Sequence, residues 1–143
     1  MKTVHKNISQ KDLADKSSNR TRNDVLRNRI DLLDGKDRLL MTMYLENDYS
    51  LFQISKVTGM CEASISRRIK RLTKKLLEGR YITCLRNSDK FNRYQMVLAK
   101  DYFLRGLSMR EITIKRYCSL YHVRENISKI KSILNECEYA NIK

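Results

Sequence analysis

Arg38-Leu-Leu-Met-Thr-Met-Tyr-Leu-Glu-Asn-Asp-Tyr-Ser50, followed through Ile54 and Gly59 by Ile65-Ser-Arg-Arg-Ile-Lys-Arg-Leu72, can be laid without a gap over the chain 58 residues further on. Across residues 38–78 and 96–136, Leu40 meets Leu98, Tyr44 meets Tyr102, Ser50 meets Ser108 and Ile54 meets Ile112. Ile65 then meets Val123, Ile69 meets Ile127, Leu72 meets Ile130 and Leu76 meets Leu134. The matches fall mainly at apolar positions with helical spacing, so they predict a duplicated folding unit. Each copy reads as three helices with a tight turn before the third. The predicted fold is all-α: two tandem three-helix helix-turn-helix units with a short N-terminal helix.

Working outward, residues 1–22 form a polar, basic arm with Val4, Ile8 and Leu13 as its only larger aliphatics. Val25, Leu26, Ile30 and Leu33 then have helical spacing, with Asn23 or Asp24 as cap and Gly35 as stop. The first unit with this leading helix spans 23–80. Within it, helices are expected over 37–47, from a Ser50 cap through Ile54 and Val57, and over 62–77, with Gly59 supplying the turn. Residues 81–94 are expected to be a linker. The second unit spans 95–138, with helices over 95–105, from a Ser108 cap, and over 121–136. Its turn has Tyr117 in place of Gly59 and Lys115 in place of Val57, so it is expected to be longer or bent differently.

The chain has 30 Lys+Arg against 16 Asp+Glu, a formal net charge of +14. The excess is spread as +4, +4, +2 and +4 over 1–36, 37–80, 81–94 and 95–143. A basic tail alone would not distribute charge in this way, and the natural partners of such a body are polyanions. Cys61, Cys84, Cys118 and Cys137 form no CxxC pair, and His5 and His122 stand far apart, so no zinc spacing is present. No metal or other cofactor is expected. Neither an export signal nor a run of membrane-spanning length is visible, and a reducing cytoplasm, in association with the nucleoid, is the expected location. No Ser/His/Asp or Cys/His set and no phosphate-cradling glycine loop supports catalysis, so no enzyme activity is expected.

The DNA reading rests on the third helix of the first unit. Ile54, Val57, Met60, Ile65 and Ile69 are expected to lock it in place, with Ser55 small enough to let two helices approach. Its outward N-terminal face then offers Glu62, Ser64, Ser66, Arg67 and Arg71 to base edges: arginine donates two hydrogen bonds to guanine and glutamate accepts from cytosine. Arg68, Lys70, Lys74 and Lys75 are assigned to phosphates, where they set affinity and register. In the second unit the candidates for DNA are Arg124, Asn126 and Lys129; the bland alternative is that this copy packs against the first or a partner chain.

The quoted run, with Ile54, Gly59 and Ile65 to Leu72, resembles region 4 of the sigma-70 family, the domain that recognises the promoter −35 element. Tyr102-Phe-Leu-Arg-Gly-Leu-Ser-Met-Arg-Glu-Ile112 resembles the same region. The resemblance covers 37–78 and 95–136. It implies a sequence-specific transcription regulator that binds double-stranded DNA and is able to touch RNA polymerase. Promoter melting in that family uses an aromatic-rich helical region, and residues 1–43 contain no Phe, Tyr or Trp. A duplicated DNA-binding module is implied, not a complete sigma factor. Three alternatives stand beside this reading. They are a single winged-helix regulator with a β-wing over 81–96, a protein that binds RNA polymerase or a sigma factor through these units, and the end-binding part of a transposase or recombinase.

Overall fold

Apolar residues in the first part of the chain recur at helical spacing and close over one another. The computed structural model describes residues 21–142, with side chains through Ala140; most of the arm expected over 1–22 lies outside the described residues. Helical backbone over 21–29 (α1) continues into a 3-10 turn at Ile30–Leu32, so Asn23 and Asp24 lie within the helix and do not cap it. Gly35 opens the next helix, α2 (Gly35–Leu45), rather than closing the first, and takes a φ of +52° after the extended Leu33 and Asp34. Leu26, Ile30, Leu33, Leu40, Met41, Met43 and Leu45 are buried. Arg27 Nε donates to the Leu45 carbonyl at 3.3 Å, tying α1 to the end of α2.

Helix α3 (Leu51–Thr58) starts at a capping box. The Ser50 hydroxyl accepts from Gln53 N at 3.2 Å, and the Gln53 side chain accepts from Ser50 N at 2.8 Å. Helix α4 (Glu62–Glu78) follows. Residues up to Ile65 form one compact unit and Ser66 onward another, the division falling inside α4.

In the second unit α4 ends at Gly79, where a Cβ would collide with the Lys75 carbonyl. Only glycine allows the chain to turn that closely, and α5 (Arg80–Arg86) begins at once. A 3-10 turn at Ser88–Lys90 leads to α6 (Arg93–Ala99), which runs on as a π turn over Lys100–Leu104. Helices α7 (Met109–Arg116) and α8 (Leu120–Ile142) complete the chain. α6 and α7 pack on α8, and α5 packs on α6, the π turn and α8.

Residues 81–94 are therefore not an irregular linker, and no strand occurs among the described residues, which removes the β-wing over 81–96. Tyr81-Ile-Thr-Cys-Leu85 has strand-like composition, but burial of Tyr81, Ile82 and Cys84 outweighs local propensity. The Asn87 amide closes α5 by donating to the Thr83 carbonyl at 2.8 Å.

The repeat extends further than side-chain identity suggested. The 3-10 turns begin at Ile30 and Ser88, α2 and α6 at Gly35 and Arg93, α3 and α7 at Leu51 and Met109, and α4 and α8 at Glu62 and Leu120. Every pair is offset by 58 residues, and α5 is the counterpart of α1. The one irregularity cancels itself: the π turn, closed by Arg105 N donating to Lys100 O at 2.9 Å, lengthens the helix by a residue and shortens the following loop, so register returns at Ser108.

Candidate nucleic-acid interface

The turn before α4 is built from short polar side chains. Ser55 Oγ donates to the Met60 carbonyl at 2.7 Å, Met60 N donates to Thr58 Oγ1 at 3.2 Å, and Gly59 N donates to Ser55 O at 2.9 Å with the glycine at φ +76°. Ile54 and Ile65 are fully buried on either side of it. Val57, expected in the same lock, is instead exposed, and Met60 is half-buried.

On α4, Ile65, Ile69, Leu72 and Leu76 are buried. At about 100° of rotation per residue, Arg67, Lys70, Arg71 and Lys74 fall within an arc of about 100° on the opposite side, and all four are exposed. The division between base-reading arginines and phosphate-binding lysines therefore does not correspond to two faces: the four cations alternate along one stripe. Because Ser66 onward belongs to the second unit, the whole stripe stands on one compact unit. Glu62 is exposed at the helix start, away from the stripe; Ser64 is half-buried two turns before Arg71 on the edge of the stripe, and Ser66 and Arg68 are half-buried between the stripe and the apolar face. Lys75, also assigned to phosphates, is half-buried and engaged within the protein. Its ammonium donates to the Leu104 carbonyl at 3.3 Å, at the end of the π turn.

The counterpart helix α8 keeps the core and changes the face. Val123, Ile127, Ile130 and Leu134 are fully buried. Where α4 carries Arg67, Lys70, Arg71 and Lys74, α8 carries Glu125, Ser128, Lys129 and Ser132, all exposed. Four positive charges become none in net. Of the second-copy candidates, Arg124 and Lys129 are exposed, but the Asn126 amide donates to the His122 carbonyl of its own helix at 2.9 Å. Lys131 lies over the Tyr102 ring, 5.1 Å from its centroid.

The turn between α7 and α8 has the length of its counterpart but a different bend: ψ is 49° at Tyr117 against 3° at Gly59, and Cys118 N donates to the Thr113 carbonyl at 3.2 Å where Met60 N donates to Thr58 Oγ1. Tyr117 lies in the left-handed region as Gly59 does, with φ +54°, and α8 begins at the equivalent residue. Such a conformation is costly for a side chain with a Cβ. The tyrosine gains no burial in return, being 95% exposed, and Ile114 and Tyr121 beside it are also exposed, at 76% and 74%. In the first copy these three positions hold Lys56, Gly59 and Ala63. Sequence reasoning registered Tyr117 as a damaged turn and missed its consequence, an aromatic surface.

A second feature missed from sequence is Asp101 in the π turn, fully buried at the position of Met43. Arg116 clasps it with Nε on Oδ2 at 2.8 Å and Nη2 on Oδ1 at 3.1 Å; Arg105 donates to Oδ1, and Lys115 stands 3.7 Å away. Burial alone would raise the carboxyl's pKa, but the hydrogen bonds from Arg116 and Arg105 outweigh it and hold the group below its ordinary value. The spacing of Asp101 and Arg105, four apart, was the available signal.

The cysteines are thiols, with Cys84 and Cys137 buried. Burial first, and then the neighbouring Cys137, push the Cys84 thiol up to about 11, which leaves it protonated and unreactive. Among the described residues no three of His, Cys, Asp and Glu gather to hold a metal ion, and no helix is long and apolar enough to cross a membrane. Comparison of the chain with protein-family models, curated proteins and solved structures finds no match in any of the three.

Proposed function

We propose that the two copies are tandem helix-turn-helix units, and that the chain is a sequence-specific regulator of transcription that binds double-stranded DNA through α4, in the manner its sequence resemblance to sigma-70 region 4 suggests. The role is one of binding rather than catalysis, in the cytoplasm and on the nucleoid. One observation carries the reading. The same helix occurs twice with equivalent buried residues, and only the first copy lines its outward face with Arg67, Lys70, Arg71 and Lys74. A solvated face needs no such contrast; a groove of phosphates does. About 10 Å separates Arg67 from Lys74 along the helix at 1.5 Å per residue, a length that lies within one major groove. Selection of bound sequences from random duplex DNA by the full chain tests the proposal. Recovery of a defined motif supports it, and recovery of unenriched sequence refutes it.

The second copy favours a protein contact. Its aromatic turn and an α8 face with no net charge suit a partner surface better than a phosphate backbone, which is consistent with a touch on RNA polymerase.

A further inference from the structure

The strained turn at Tyr117 stands next to a cluster of charge that the first copy lacks. Arg105, Lys115 and Arg116 gather on the buried Asp101 carboxylate. At the positions of Asp101, Arg105, Lys115 and Arg116 the first copy has Met43, Asn47, Val57 and Thr58. Four uncharged residues have become one acid and three bases. The second copy thus lacks the cation stripe on its long helix and carries new cations at the end of α7, beside the turn. We propose that this turn is the docking surface for an acidic segment of a partner protein, with Ile114, Tyr117 and Tyr121 receiving its apolar side chains and Lys115 and Arg116 its carboxylates. The inference rests on the reading of the second copy as protein-facing, and adds the chemistry of the partner.

Backbone strain is the first support. An exposed tyrosine held left-handed gains no packing within the chain to offset the strain, and such strain concentrates where a contact outside uses it. With Ile114 and Tyr121 beside it, the exposed apolar group is rimmed by charge, as protein-binding surfaces are. The sign of that charge selects the partner. Glu111 and Glu125 are matched in number by Arg110 and Arg124, which lie one turn from Ile114 and from Tyr121, and all four are exposed. The Asp101 cluster therefore sets the balance, and Lys115 and Arg116 outweigh the one carboxylate even with Arg105 left out of the count. Arg116 is fixed by hydrogen bonds to Asp101 at 2.8 and 3.1 Å, so it loses little further freedom on meeting a carboxylate. It is 31% exposed and Lys115 42%, so both remain within reach of a partner. A duplex fits this surface less well: Ile114 is aliphatic, and the adjoining face of α8 has Lys129 where α4 has four cations.

Selection of short random peptides displayed on phage, by the full chain in DNA-free buffer, tests this, and a failure of the DNA reading at α4 leaves its result untouched. The enriched peptides are expected to be rich in Asp and Glu with large apolar residues among them. Fluorescence anisotropy with one such peptide should show binding that weakens with salt. Tyr117→Gly should weaken that binding about tenfold or more while raising the urea midpoint, because the same change relieves the left-handed strain; a tyrosine with a structural role alone would not separate the two. Its affinity for duplex DNA should be unchanged. Lys115→Gln should weaken peptide binding severalfold and flatten its salt dependence, with the circular-dichroism melting curve unchanged. Failure to enrich any peptide, enrichment of neutral or basic peptides, binding indifferent to Tyr117→Gly, or a Tyr117→Gly variant that loses binding and stability together would overturn the proposal. So would a loss of duplex affinity in Tyr117→Gly, which would put nucleic acid on this surface instead.

Discussion

The sharpest quantity available is the salt dependence of DNA binding. Each phosphate neutralised by a protein cation contributes about −0.9 to the slope of log affinity against log salt. If all four stripe cations engage phosphates, the slope is about −3.6, and affinity falls by about two orders of magnitude between about 50 and about 200 mM salt. Lys70→Ala or Lys74→Ala should each flatten the slope by about 0.9 on every DNA sequence alike. For the arginines, charge and geometry can be separated. Arg67→Lys and Arg71→Lys keep the charge and so the slope, but lose the planar fork that reads guanine, at a cost of about 1–3 kcal/mol on the preferred site only. Fluorescence anisotropy titrations at four salt concentrations, on the selected motif and on a scrambled duplex, measure both effects. Lys75→Ala is the internal control: with its ammonium on the Leu104 carbonyl, it should leave the slope unchanged. If Lys75→Ala flattens the slope as much as Lys70→Ala does, or if the Lys variants of Arg67 and Arg71 retain full sequence preference, the assignment of the stripe is wrong.

The further outcomes concern stability. Tyr117→Gly removes about 1–2 kcal/mol of left-handed strain against about 0.4–1 kcal/mol of added chain entropy, so urea unfolding should show a net stabilisation of a few tenths to about 1 kcal/mol; a destabilised variant would mean that the tyrosine packs on something. Asp101→Asn leaves Arg116 and Arg105 without their buried counter-charge and should cost about 3 kcal/mol, whereas Asp101→Met with Arg116→Thr, the first copy's residues, should cost less, as chemical denaturation can establish. The sign of the pH effect follows from the lowered Asp101 pKa: its stabilisation is present above the unfolded carboxyl value, near pH 4, and is lost as pH falls through the folded one, so acid titration of stability should show a component that Asp101→Asn lacks. Gly79→Ala drives a Cβ into the Lys75 carbonyl and should destabilise the fold by about 1–3 kcal/mol in the same assay; a neutral result would show that the α4–α5 corner relaxes freely.

Much of this architecture was legible because it is local or periodic. Ser50 and Ser108 announce their helices by hydrogen bonds that reach only three residues ahead, and Gly59 announces its turn by the one conformation it alone adopts at little cost. The buried row Ile65, Ile69, Leu72 and Leu76 follows from helical spacing. The errors fall where a distant partner decides. Tyr81 to Leu85 looks like a strand until α6, the π turn and α8 cover its apolar residues. Asp101 looks like a surface charge until Arg116, fifteen residues on, closes over it. Of the candidate site, the stripe and its single face follow from helical spacing, whereas the engagement of Lys75 depends on the distant Leu104 carbonyl. Tyr117 was visible from the start, and what it exposes was not.

Duplication makes the chain its own control. Burial demands the same residues of both copies, so the outward positions are where the copies are free to differ, and they differ most in charge between Arg67 and Glu125, Lys70 and Ser128, and Lys74 and Ser132. If that difference alone separates a DNA-facing helix from a protein-facing one, it can be transplanted. Glu125→Arg, Ser128→Lys and Ser132→Lys together alter only exposed residues and leave the row from Val123 to Leu134 intact, so the variant should fold with unchanged helicity. Three added cations on a helix presented as α4 is presented should steepen the salt slope by about 2.7 and strengthen binding to scrambled duplex, without creating a new preferred motif. A variant that folds and leaves the slope unchanged would show that the face of α8 is not what distinguishes the two copies.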